Sequence, residues 1–166
     1  MARTKSINFP NTEGELSTLF DKLQRSTLNT LLVSGALAIH GASSALAKTG
    51  STAYAIAGDT TLVKLAAADL PALVGTVTNA TFNVFVFTVN ASGTTKTYMG
   101  TAGATLGAVV FPTTGDGEVV LGFVIINPTG TGNFVGGTTN LDDATVVPNA
   151  VYINTVGEFF PQFSTL

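Results

Sequence analysis

The side chains equipped for chemistry are few and scattered along this chain. Its single histidine, His40, closes an apolar run beside Gly41, with Ser43-Ser44 just behind, and there is no cysteine. A nucleophilic triad needs an acid and a nucleophile within reach of the imidazole. The local sequence offers no acid, so His40 reads as a hydrogen-bonded or exposed residue at a strand end. Asp142-Asp143, with Thr139 and Asn140 nearby, is the densest acidic pair of the C-terminal half. Calcium takes roughly six to eight oxygens, usually from a dense acidic loop. Adjacent carboxylates point in different directions, so a solvated turn or the cap of a short helix is expected. Asp116 and Glu118 flank a turn and read the same way.

Two further motifs weaken on inspection. Gly130-Thr131-Gly132, followed by Gly136-Gly137, resembles a dinucleotide-binding fingerprint. The third glycine arrives one residue late, and residues 138–143 carry no apolar helical face to present an N-terminus to a pyrophosphate. A wide turn between strands is expected instead. Asn79-Ala80-Thr81 and Asn90-Ala91-Ser92 match the glycosylation acceptor pattern, which has meaning only in a secreted chain. The expectation from these residues is no catalytic site, no cofactor site and no metal site.

Composition points the same way. Of 166 residues, 45% are apolar and only 10% charged, and tryptophan is absent. The net charge of −3 argues against bulk nucleic-acid binding. Charge is also unevenly placed. Arg3, Lys5, Lys22 and Arg25 stand near the N-terminus against Glu13, Glu15 and Asp21, whereas from Ser26 onward three lysines face seven acids. So sparsely charged a body suits a protein whose faces are covered by neighbours.

The longest apolar stretches, residues 31–39 and 119–126, fall short of the roughly 20 residues that span a bilayer, so no membrane partner is expected. Lys22, Arg25, the apolar residues 28–39 and Ala45-Leu46-Ala47 imitate a signal peptide with its cleavage site. The positive region begins too far into the chain, behind two glutamates, and secretion by that route is not expected.

Residues 1–11 are polar and aperiodic and read as an arm. Thr12-Glu13-Gly14-Glu15 is a capping box. Behind it Leu16, Leu19, Phe20 and Leu23 mark one helical face, predicting a helix over 13–26. From there the pattern changes to short alternating runs punctuated by Gly, Pro and Asn. Strands are predicted at 32–39, 52–56, 61–65, 81–90, 94–99, 106–111, 118–126 and 146–154, with a short helical turn within 66–73 and a glycine-rich loop at 130–139. This is a mainly β, antiparallel chain, read as a β-sandwich or jelly-roll-like domain over 28–166 behind an N-terminal arm and one short helix over 1–27.

The clearest strand raises a question of cover. Phe82, Val84 and Val86 take one side of the 81–90 run; Phe85, Phe87 and Val89 take the other. An antiparallel sheet with one wet face shows polar residues on that side. Here both sides are apolar, so the second must be covered by the Leu16/Leu19/Phe20/Leu23 helix face, by the phenylalanine tail or by a neighbouring subunit, of which a neighbouring subunit is expected. The tail, with Phe159, Phe160 and Phe163, packs on its own domain or anchors to a neighbour. The expected interface therefore comprises Leu16, Leu19, Phe20, Leu23, Phe85, Phe87, Val89, Phe159, Phe160 and Phe163.

The stretch Gly122-Phe123-Val124-Ile125-Ile126-Asn127-Pro128-Thr129-Gly130-Thr131-Gly132 leads into Asn133-Phe134-Val135-Gly136-Gly137-Thr138-Thr139. Leu141-Asp142-Asp143-Ala144 and Pro148-Asn149-Ala150-Val151-Tyr152-Ile153-Asn154-Thr155-Val156-Gly157 follow. With residues 82–89, this C-terminal half resembles small structural proteins of tailed-bacteriophage virions, the kind that decorate capsids or form head fibres. The resemblance implies a β-rich, non-enzymatic subunit that assembles on a shell, often as a trimer. The expected function is an auxiliary or decoration subunit attached to the major capsid protein or another virion protein. It would be made in the host cytoplasm and carried in the particle. A fibre or receptor-binding module touching a host-cell surface is the alternative.

Overall fold

The computed structural model describes residues 29–148 and 150–156. The helix expected over 13–26, with Leu16, Leu19, Phe20 and Leu23, lies outside them. So do the tail phenylalanines Phe159, Phe160 and Phe163. Within the described residues the chain is mainly antiparallel β, as the alternation predicts.

The first three-stranded sheet joins β1 (Thr30–Val33), β4 (Ala53–Ala57) and β5 (Thr61–Leu65) in the order β1-β4-β5. β4 alternates alanine with larger residues and buries Ala53, Ala55 and Ala57. Gly58 and Asp59 both take positive φ in the turn to β5, and Asn29 brackets Asp59 with two hydrogen bonds. β2 (Leu37–Ile39) and β3 (Ala47–Thr49) form a separate ladder.

The largest sheet runs β11-β9-β7-β8, from β11 (Val151–Asn154), β9 (Val119–Ile126), β7 (Asn83–Val89) and β8 (Thr95–Met99). The β7–β8 hairpin forms because the Asn90 carboxamide oxygen accepts from the amides of Ser92 and Thr94, while Gly93 takes positive φ. β9 has a bulge at Gly122, whose φ is 147°. Phe87 pairs with Gly122 and Thr88 with Val120, so Leu121 is the extra residue. The bulge keeps Val119, Leu121, Val124 and Ile126 all on the core side.

One core cluster takes side chains from both larger sheets, Leu31, Ala55 and Val63 from one and Phe85, Phe87, Val89, Val119 and Leu121 from the other. Phe134 meets Phe85 edge-on, with ring centroids 5.9 Å apart. It belongs to β10 (Phe134–Val135), which pairs with β6 (Thr76–Val77) inside the segment expected to be a plain glycine-rich loop.

Four further expectations change. The run 32–39 is not one strand: Ser34-Gly35-Ala36 breaks it, with Ala36 at φ 51°, and sends β1 and β2 to different ladders. Residues 66–73 form no helical turn; Asp69 bridges Lys48 in antiparallel fashion and the Leu70 amide donates to the Ala47 carbonyl. Residues 106–111 form a short 3-10 turn at Leu106–Ala108 rather than a strand.

Finally, Phe85, Phe87 and Val89 were expected at a subunit interface and are instead 0% exposed within the chain's own core. The opposite side of β7 is closed as well, with Val84 and Val86 buried. Gly100 packs on Val84, Thr101 bridges Val110, and Phe111 meets Phe123 edge-on at 5.0 Å. The excursion between β8 and β9 thus runs along the Val84/Val86 side, while the side expected at a subunit contact fills the chain's own core.

Candidate functional site

Three polar constellations and one apolar surface stand out. The first is built on the outer side of the β7–β8–β9 ladder. Thr88 pairs across from Lys96, and Tyr98 follows Lys96 at the strand period of two, so all three share one face. Glu118, at the start of β9, reaches into that face. Its carboxylate accepts from the Thr88 hydroxyl at 2.7 Å, Lys96 Nζ at 2.7 Å, the Tyr98 hydroxyl at 3.1 Å and the Gly115 amide at 3.3 Å. Glu118 is 4% exposed, so the solvated turn expected there is corrected to a buried carboxylate.

Burial acts to raise the Glu118 pKa, but the hydrogen bonds from Lys96, Thr88 and Tyr98 and the lysine charge outweigh it, and the net shift is downward. Lys96 is held above its ordinary value by its bond to Glu118. Tyr98 is raised by burial first and by Glu118 second. A carboxylate held ionised by several donors is a structural anchor.

The second constellation supplies the hydrogen bond expected of His40 at its strand end. The imidazole does have an acid partner: Nδ1 bonds the Asp69 carboxylate, with both side chains about half exposed. The pair lies across an interval of 29 residues, which no local pattern reveals. Nearby, Ser43 donates its amide to Asp142, while Ser44 Oγ accepts from the Leu46 amide. Ser44 Oγ thus takes part in a local turn. Asp143 accepts from the Thr145 hydroxyl and amide, which hold its carboxyl below the ordinary range. The two adjacent aspartates do serve different partners. Among the described residues no group of three or more His, Cys, Asp or Glu converges as a metal site.

The third explains the glycine-rich segment. Asn79 Nδ2 donates toward the carbonyls of Pro128, Gly130 and Gly132 at 3.1, 2.8 and 3.0 Å, and the Asn79 amide donates to Asn133 Oδ1. The amides of Gly130 and Thr131 donate to the carbonyls of Val146 and Thr145. The Gly130 and Thr131 amides are therefore committed to the chain's own carbonyls, and the carbonyls of Pro128, Gly130 and Gly132 converge on Asn79. Residues 128–133 form a wide turn wrapped around an asparagine.

The apolar surface lies at the β11 end of the large sheet. Tyr152 packs toward the core, which turns its neighbours Val151 and Ile153 outward. Val151 pairs with Ile125 and Ile153 with Phe123, which in turn carries Phe111. Val110, Phe111, Val151, Ile153 and Val156 remain 60, 38, 45, 37 and 48% exposed. No charged side chain occurs between Val151 and Val156. Among the described residues, β11 pairs with β9 alone and forms the edge of its sheet.

Of the ten residues expected to form an interface, three lie in the core and seven lie outside the described residues. The exposed strip was missed because Val151 and Ile153 alternate with Tyr152 and Asn154 like any half-buried strand. No protein-family model, curated protein or solved structure matches this chain.

Proposed function

We propose that this chain is a non-enzymatic structural subunit of a tailed-bacteriophage particle, an auxiliary subunit that decorates the capsid by binding the major capsid protein or a neighbouring virion protein. The observation that carries the reading is the uncharged apolar strip at the β11 edge. Natural sheets protect an exposed edge with charge, proline or a bulge. Contiguous exposed apolar side chains mark contact surfaces. Val151, Ile153, Phe111 and Val110 form such a surface on a chain with few charges.

The polar constellations support the same reading from the other side. Glu118, Asn79, Asp142 and Asp143 each have their oxygens or amide engaged in holding turns and strands. In the proposed particle the subunit is a homo-oligomer, with a trimer favoured, synthesised in the host cytoplasm and retained in the virion.

The test is mass spectrometry of density-banded particles from the genome that encodes the chain. The reading expects the chain at a fixed, high copy number relative to the major capsid protein through repeated banding. Loss of the chain on rebanding would exclude a structural role.

A further inference from the structure

We infer that the apolar strip on the outer side of the β11 edge receives the C-terminal segment, residues 157–166, of a second copy of this chain. The inference rests on the reading of the chain as an assembly subunit and specifies the contact through which copies join. The receiving surface is made by Val151 and Ile153 on β11, Phe123 and Ile125 beside them on β9, and Phe111 packed edge-on against Phe123. It is apolar and uncharged.

The occupant is argued from where the described chain ends. Ten residues follow Val156, and they carry Phe159, Phe160 and Phe163 with a single charged side chain, Glu158. Aromatic side chains give large contact areas with little rotamer entropy to lose, and they are enriched at the centres of interfaces. Extended, ten residues reach at most about 35 Å, whereas three strand spacings across the sheet amount to about 15 Å. Reach is therefore ample.

Direction selects the neighbour. Thr155 is buried, and its hydroxyl donates to the Val120 carbonyl, which holds the chain along β9 beyond the Asn154–Gly122 pair. The described chain therefore ends at Val156 heading away from Ile153 and Val151. To cover them in its own subunit, it would have to reverse immediately after that anchor. A segment arriving from a second copy needs no reversal. Exchange of identical segments around a closed ring satisfies every copy with one kind of contact.

Because the chain has no cysteine, each engineered one is unique. Differently tagged chains carrying Ile153→Cys and Phe160→Cys are co-expressed and oxidised. The inference expects a disulfide joining the two tags, and light scattering expects deletion of 157–166 to reduce the oligomer to one-chain mass. A second pair, Val151→Cys with Phe163→Cys, covers the case in which the first fails to fold, with circular dichroism as the folding check. A disulfide formed only within one chain carrying both substitutions would overturn the inference. So would an unchanged oligomer after deletion, or a monomeric full-length chain. None of these results depends on whether the chain is found in particles, so the contact and the particle assignment can fail separately.

Discussion

Lys96 Nζ lies 2.7 Å from Glu118 Oε1, joining a half-exposed cation on β8 to a buried carboxylate at the start of β9. Together with Thr88 and Tyr98 the pair closes the polar end of the large sheet, opposite its apolar β11 edge. Glu118→Ala would leave the fully buried Thr88 without its acceptor and cost about 2 kcal/mol.

The same carboxylate gives the fold an acid-sensitive component. Its folded-state pKa lies below the ordinary value of 4.5. A depressed carboxylate stabilises the fold at pH above its unfolded pKa, and that contribution disappears as pH falls through the folded value. The thermal midpoint of the wild type should exceed that of Glu118→Gln by a constant amount above about pH 5, by the same linkage. The gap should close as the solution is acidified below 4.5. A gap independent of pH would show that the carboxylate charge contributes nothing.

Gly122 leaves no room for a side chain. A Cβ there would stand 2.4 Å from the Ile153 carbonyl oxygen and 2.5 Å from Leu37 Cδ1, at a φ of 147°. Gly122→Ala should cost about 3 kcal/mol. Hydrogen exchange should rise first in β11, whose ladder to β9 passes through this residue. Equal protection of β11 in variant and wild type would contradict the close packing described.

Much of this architecture is legible in the residues themselves. The β7–β8 hairpin and β5 follow from short runs rich in β-branched and aromatic residues bounded by Asn, Ser and Gly. Where the reading failed, the cause was contact between distant segments. Residues 32–39 look like one strand, yet Gly35 sits so close to Thr49 that a Cβ would approach its Cγ2 to 2.7 Å, and the chain kinks there. Both faces of β7 are apolar in sequence, which suggested a neighbour; the 100–111 excursion runs along the second. The buried Glu118 had a faint local signal in Lys96 and Tyr98 at a spacing of two, opposite Thr88. The His40–Asp69 pair had none.

Asn79 should prove more important as an amide than as a shape. Asn79→Ala removes the donor shared by three carbonyls and should speed hydrogen exchange across residues 128–133. Asn79→Asp keeps the size but sets a carboxylate against those carbonyls, and should be the more destabilising of the two in urea denaturation, by about 1 kcal/mol or more. The opposite order would mean that the donor role of Nδ2 is unimportant.

Tyr152 has a buried hydroxyl with no hydrogen-bond partner among the described residues, and its pKa is pushed up to about 12 by burial first and by the Asp142 charge second. Removing an unsatisfied polar group relieves its desolvation cost. Tyr152→Phe should therefore be neutral or stabilising by up to about 1 kcal/mol, read as an unchanged or higher thermal midpoint. A clear loss of stability would mean that the hydroxyl makes an interaction in solution.

As proposed, this chain belongs in a virus particle. Immunogold labelling of density-banded particles, with antiserum raised against the purified chain, tests it by position. The account predicts regularly spaced label over the head. Label confined to fibre tips would replace the decoration role with the receptor-binding one, and particles that bind no more label than a control antiserum would contradict the account.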